Sequence, residues 1–162
     1  MPTAHLICGR AGSGKTEYSK LLENESGAIR SSKDQWIISL FGSGLDSHSW
    51  AQAEPRCCRL ILELAQQLLA RGVDVILDWG FWYAHERREV DIALGSVGGS
   101  SKVHFLDTPD EVRWQRIVHR NQDPGLDSVE ISRAQFEKQT SWFESPEEAE
   151  GIEIVSIKCD AA

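Results

Sequence analysis

Residues 9–16 read Gly9-Arg10-Ala11-Gly12-Ser13-Gly14-Lys15-Thr16 and match G-x-x-x-x-G-K-[ST] without a mismatch. Glycines let the backbone turn tightly and approach anionic oxygens. Along Gly9, Ala11, Gly12, Ser13 and Gly14 the successive N–H groups form a concave nest for phosphate. The positive end of the helix that follows strengthens it. Lys15 then reaches the β- and γ-phosphates of a nucleotide, and the Thr16 hydroxyl ligates Mg²⁺. Both flanks suit the motif. His5-Leu6-Ile7-Cys8 is a short apolar run ending at Gly9, as a buried strand does. From Lys15 onward Tyr18, Leu21 and Leu22 fall on one helical face.

Working outward, short apolar strands alternate with helices. Ala28 to Ser31 is a weak second strand, and Gln35 to Phe41 is a short helix stopped by Gly42 and Gly44. Gly42 to Ser49 has loop composition. A longer helix is expected from about Pro55 to Arg71, with Pro55 in its first turn and Gly72 as its C-terminal cap. Val73 to Asp78 is the clearest strand. Helix is expected from about His85 to Leu94, a Gly/Ser loop from Gly95 to Ser101, and strand over Val103 to Leu106. Thr108-Pro109-Asp110-Glu111 carries the residues of a helix N-cap and capping box. Asn121 to Ser128 is polar, with Pro124 and Gly125. Ser132 to about Phe143 is a last helix, and Ile152 to Ile157 closes as a strand. Alternation of this kind implies an α/β fold, a parallel sheet with helices on both faces.

The chain has 162 residues, the size of one domain, with 41% apolar and 26% charged residues. Asp plus Glu number 25 against 17 Lys plus Arg, a net charge of −8. That balance disfavours bulk electrostatic binding of nucleic acid without excluding a local basic groove. Apolar runs are too short for a membrane span, and the N-terminus has no basic-then-apolar leader. The four cysteines show no metal spacing and read as reduced thiols, so a cytoplasmic protein is expected. Six Trp is a high count for this length and asks for a reason.

Among phosphate-loop proteins, guanine readers carry Asn-Lys-x-Asp, which is absent here. Water-activating ATPases place Glu after the strand-end Asp, but Trp79 follows Asp78. An acceptor other than water, hence a kinase, fits better. Asp34, just beyond the second strand, lies by topology beside the phosphate loop, where a carboxylate accepts the proton of an attacking hydroxyl. The plain alternative is an N-cap for the helix that follows. Arg113, Arg116 and Arg120, spaced by three and four, share one helical face and suit the equatorial oxygens of a phosphoryl group. A solvated stripe paired with Asp110 and Glu111 is their bland alternative. The polar loop after them is expected to let residues 113–128 close as a lid.

The phosphate loop, Ser31-x-x-Asp34, Leu77-Asp78, Glu86-Arg87-Arg88, Arg116-x-x-x-Arg120-Asn121 and a tail with Phe143-Glu144-x-Pro146 and Glu150 occur in that order. This order resembles the AAA-type kinases of the polynucleotide-kinase, zeta-toxin and chloramphenicol-phosphotransferase group. The resemblance implies a three-layer P-loop sandwich with a five-stranded parallel sheet of order 2-3-1-4-5. It also implies transfer of the γ-phosphate of Mg-ATP to a hydroxyl. In that comparison Lys15 and Thr16 handle phosphate and metal, Asp34 matches the general base, and Arg116 and Arg120 match the lid arginines. Asp78, with Thr16, falls where the metal is held. The sequence departs from the group at Asp78-Trp79-Gly80-Phe81, where Asp-x-Thr or Asp-x-Asn is frequent.

Around that departure aromatics cluster. Trp79, Phe81, Trp82 and Tyr83 follow the strand end, and Trp36 lies near Asp34. They are expected either to wall an acceptor pocket, with Trp36, Trp79 and Trp82 stacking on a ring or sugar, or to pack the core. Arg87 binds a charged acceptor or pairs with Glu86 and Glu89. The expected function is ATP-dependent phosphorylation of a small-molecule hydroxyl. Alternatives are a polynucleotide 5′-hydroxyl kinase and a nucleotide-binding regulatory or toxin–antitoxin module with incidental turnover.

Overall fold

Successive residues of the central strands pack into different apolar clusters, and that alternation builds the layers. A computed structural model describes residues 1–122 and 130–159. In β1 (Thr3–Cys8) Ala4, Leu6 and Cys8 join one apolar cluster and Ile7 joins another. In β3 (Val75–Gly80) Val75 and Leu77 join the first cluster and Ile76 the second. A strand with both faces buried needs helices on both sides of its sheet. The first cluster takes Ile61, Ala65 and Leu69 of α3 (Ser47–Leu69) with Val90 and Leu94 of α4 (Ala84–Gly95). The second takes Tyr18 and Leu22 of α1 (Lys15–Ser26). Leu21, expected on the buried face of α1, is instead 55% exposed.

With β2 (Ile29–Ser32), β4 (Ser100–Asp107) and β5 (Glu153–Lys158), the strands form one five-stranded parallel sheet in the order β2-β3-β1-β4-β5. The expected order is therefore observed. Its register aligns Cys8 with Gly80 and Phe105, and Ser32 with Asp78. The C-terminal ends of four strands thus share one edge, where α/β sheets place their ligands. Helices α2 (Lys33–Phe41), α5 (Asp110–Gln122) and α6 (Arg133–Trp142) complete the described elements, with a 3₁₀ turn at Glu148–Glu150.

Several boundaries differ from expectation. Helix α3 starts at Ser47, inside the expected loop, because the Asp46 carboxylate caps it by accepting from the Ser49 N–H at 2.8 Å. Pro55 therefore lies in the helix interior and not in its first turn. An interior proline costs about 3 kcal/mol. The buried stripe Ala53, Cys57, Ile61, Ala65 and Leu69, continuous across it, offsets that cost. The N-cap of α2 is Ser32, not Asp34, and Asp34 sits in the first turn. β4 begins at Ser100, where loop was expected. Residues 123–128 of the expected lid lie outside the described residues. No described helix is long and apolar enough to cross a membrane.

Candidate active site

The chain leaves β1 at Cys8 and enters α1 at Lys15, so residues 9–14 form a loop on the ligand edge. Its carbonyls are held from behind by side-chain donors. Trp82 Nε1 donates to the Gly9 carbonyl at 3.2 Å, and Lys15 Nζ to that of Arg10 at 2.9 Å. Arg113 Nη1 donates to Ala11 at 2.9 Å and Thr108 Oγ1 to Ser13 at 3.0 Å. With the carbonyls so engaged, the N–H groups of Ala11, Gly12 and Gly14 donate to no backbone acceptor among the described residues. Gly14 begins α1 with no side-chain cap, so the first N–H groups of that helix add to the set. This is an anion-binding nest. Gly12 is required by contact: at φ +76°, a Cβ would lie 2.6 Å from the Arg113 carbonyl oxygen.

Thr108 was expected as an N-cap for α5. It is fully buried with its hydroxyl donated to the loop. Arg113, the first of the three arginines, is 1% exposed and braces the loop while pairing with Asp110 at 2.8 Å. Phe136 of α6 stacks under its guanidinium at 4.6 Å. Arg116 is exposed, with Nη1 3.4 Å from the Ser13 carbonyl oxygen. Arg120 is half-buried, and its Nε has no partner among the described residues. Burial pulls the Arg120 guanidinium below its ordinary range, and the nearby Asp34 carboxylate pulls it back.

The carboxylates meet the same site. Burial lowers the Lys15 ammonium, opposed by Asp78 and Asp34, so both acids lie within its field. Asp34 keeps solvent-exposed surface at the start of α2, yet desolvation raises its carboxyl; Lys33 and Lys15 oppose this, while Glu54 and Asp78 add to it. Asp78 is 7% exposed, and its Oδ2 accepts from Ser19 Oγ at 2.9 Å and from Arg30 Nη1 at 3.1 Å. Thr16 is exposed in the first turn of α1. A hydroxyl in that place and the second oxygen of Asp78 suit a hard, oxygen-preferring cation whose remaining ligands are phosphate and water. No cluster of three His, Cys, Asp or Glu able to hold a metal alone exists among the described residues.

The aromatics divide. Phe81 is core, and Trp79 stacks on it with ring centroids 5.3 Å apart. Trp36 and Trp79 are half-buried against the same cluster. Trp82, expected at the acceptor, is committed to the phosphate loop through its indole N–H. Arg87 also departs from expectation. It is fully buried, pairs with Glu150 at 2.6 and 2.8 Å, and donates to the carbonyls of Phe81 and Glu144 at 2.8 and 3.0 Å. Its guanidinium is thus held by the chain and not offered to a ligand, and its acid is neither Glu86 nor Glu89.

Sequence reading missed the Arg30–Asp78 pair, the Lys33–Glu54 pair and the Thr108 brace. Thr108, directly after a strand that neighbours β1, carried a positional signal. Arg30 and Glu54 carried none, because only sheet order and helix packing bring them to the edge.

A family model described as an AAA domain matches residues 5–146. No curated protein sequence is matched by the chain. A solved structure from Chloroflexus aurantiacus J-10-fl, provisionally named a kinase, is similar with TM-score 0.78 at 18% identity, covering 97% of this chain and 88% of that one. Kti12 of Chaetomium thermophilum in complex with ADP-AlF3 follows with TM-score 0.68 at 18% identity, covering 94% and 88%. The Mycobacterium tuberculosis APS kinase, in complex with AMPPNP and APS, gives 0.64 at 18% identity, covering 99% and 90%. The fold of this chain is that of P-loop kinases.

Proposed function

Because the chain belongs to the AAA-domain family, we propose that it transfers the γ-phosphate of Mg-ATP to a hydroxyl of a small molecule. The observation that carries this is the convergence of Lys15, Asp34, Asp78 and Arg120 on one phosphate-binding edge, with Asp34 the exposed carboxylate. In this reading the loop N–H groups and Lys15 bind and orient the triphosphate. The Thr16 hydroxyl and the uncommitted oxygen of Asp78, directly or through water, would hold Mg²⁺, which neutralises charge on the β- and γ-phosphates. Asp34 takes the acceptor's hydroxyl proton at its carboxylate. Its raised carboxyl makes it a stronger base than an ordinary aspartate. Arg116 and Arg120 neutralise the equatorial oxygens as the phosphoryl group moves. Trp36 and Trp79, half-buried against the core, are proposed to offer ring surface to the face of a sugar or planar acceptor. The domain is proposed to be single; Arg113, at the start of the expected lid, is instead fixed as a brace of the phosphate loop.

The test is a γ-labelled ATP transfer screen over sugars, nucleosides, antibiotics and a short oligonucleotide. Lys15→Ala is expected to abolish transfer. Asp34→Asn is expected to lose about 10²–10⁴-fold in rate while ATP affinity stays near wild type. Full transfer by Asp34→Asn would remove the base from this mechanism. Salt-sensitive phosphorylation of the oligonucleotide alone would favour the polynucleotide reading, against which the net charge of −8 weighs. ATP binding with no transfer to any acceptor would favour the regulatory one.

A further inference from the structure

At the end of β3 the backbone enters the left-handed region twice in succession, at Gly80 (φ +92°) and Phe81 (φ +46°). Phe81 has a Cβ and is nearly fully buried, so this conformation persists only where surroundings enforce it. The enforcing contacts lie on the Phe81 carbonyl, which accepts from Arg87 Nη1 at 2.8 Å and from Cys8 Sγ at 3.3 Å. What the turn holds is the first residue of the phosphate loop. The Gly9 N–H donates to the Gly80 carbonyl at 2.9 Å, and the Gly9 carbonyl accepts from Trp82 Nε1 at 3.2 Å.

The C-terminal tail closes this turn from outside. Glu150 pairs with Arg87, and the Glu144 carbonyl takes a further Arg87 N–H. The Glu144 N–H donates to the Trp82 carbonyl at 2.9 Å, and its carboxylate accepts from the Ala84 N–H at 2.8 Å. Phe143 meets the loop from the other side, under the Arg10 guanidinium at 5.4 Å. A chain of contacts therefore runs from Glu150 through Arg87 and Phe81 to Gly9.

We propose that Trp82 and Arg87 are positioning residues for the nucleotide site, and that the Phe143–Glu150 tail is the strap that holds them. The inference rests on the reading that the loop binds ATP. Trp82 sets the Gly9 peptide through its N–H, and Arg87 sets the turn that carries Trp82. Loss of either leaves a folded protein whose loop is less organised before ATP arrives, so affinity falls although no group touching ATP has changed.

Trp82→Phe retains a ring and loses only the N–H donor. It is expected to weaken ATP binding about five-fold by calorimetry, the loss of one neutral hydrogen bond, measured well below its unfolding midpoint. Glu150→Gln keeps volume and an acceptor but unpairs the Arg87 charge, and is expected to weaken ATP binding at least as much while also lowering the midpoint. In the unaltered protein, ATP is expected to slow amide exchange at Trp82 and Glu144 together with the loop, a result that needs no variant to fold. Folded variants with wild-type ATP affinity, or no slowing at Trp82 and Glu144, would overturn the strap alone. A wild-type protein that binds no ATP would overturn the nucleotide reading, and the strap with it.

Discussion

His104 is the clearest test of how the sheet anchors the phosphate-loop helix. It lies on β4, 5% exposed, and both ring nitrogens are engaged. Its Nε2 lies 2.9 Å from His5 Nδ1 on β1, and its Nδ1 lies 2.7 Å from the Tyr18 hydroxyl on α1. A neutral imidazole supplies the one donor and one acceptor this chain of bonds uses. Protonation would bury a charge near His5 and Lys102, with Glu153 as the compensating acid; Asp74 acts in the same sense on His5. Burial first, then those cations, pull the imidazole from 6.5 to about 4. The unfolded chain takes up the proton near 6.5 and the folded chain resists until about 4. Stability is thus complete above pH 6.5 and falls as pH drops toward 4. At 1.36 kcal/mol per pH unit the loss reaches about 3 kcal/mol. Urea unfolding from pH 7.5 to 4.5 reads it out. With a denaturant slope of about 2 kcal/mol/M, the wild-type midpoint should fall about 1 M further than that of His104→Gln, which keeps a donor and an acceptor but does not titrate. Equal falls in the two proteins would refute the assignment.

Gly12→Ala meets both a left-handed φ and the Arg113 carbonyl oxygen, so it is expected to lower the melting temperature by several degrees and weaken ATP binding as α5 is pushed off the loop. Differential scanning calorimetry and nucleotide titration check both effects. Two arginines on one helix are expected to separate cleanly. Arg120→Ala should cut γ-phosphate transfer about 10²-fold or more with little change in melting temperature. Arg113→Met, which breaks a buried network, should lower the melting temperature by several degrees. If Arg120→Ala transfers phosphate at the wild-type rate, that arginine faces no reacting oxygen.

Legibility followed the range of the physics. The phosphate loop was legible because its chemistry is local: glycines for tight turns, then Lys15 and Thr16 at the head of a helix. The central strands β1 and β3 were legible because both their faces are buried, which makes the core of each a short apolar run. The start of α3 was not, because Gly42 to Ser49 has loop composition and Pro55 resembles a first-turn proline. Asp46 and the stripe from Ala53 to Leu69 outweigh both signals only once the helix packs.

The site divides along the same line. Lys15, Thr16, Asp34, Asp78, Arg116 and Arg120 could be named as candidates because each is a charged or hydroxyl residue at an element end or on one helical face. The partners that tune them could not. Arg30 on Asp78 and Glu54 on Lys33 are ion pairs between residues far apart in the chain, and Arg120 feels the charge of Asp34 across a still longer stretch of sequence. They exist because β2 pairs with β3 and the α2–α3 and α5 helices meet the same edge.

Three-dimensional structure also sorted residues of one type into different work. Trp79 and Trp82 are three residues apart and equally aromatic, yet one stacks on Phe81 while the other donates its indole N–H to Gly9. Arg87 and Arg113 are spent inside the protein, whereas Arg116 lies on the loop's outer side. Pattern and spacing alone determined that this chain folds as an alternating α/β sheet around a phosphate loop, because backbone periodicity and glycine geometry act over a few residues. Which arginines and tryptophans face the site and which brace it was decided only by the tertiary structure. Burial and partner choice depend on what the whole sheet brings together.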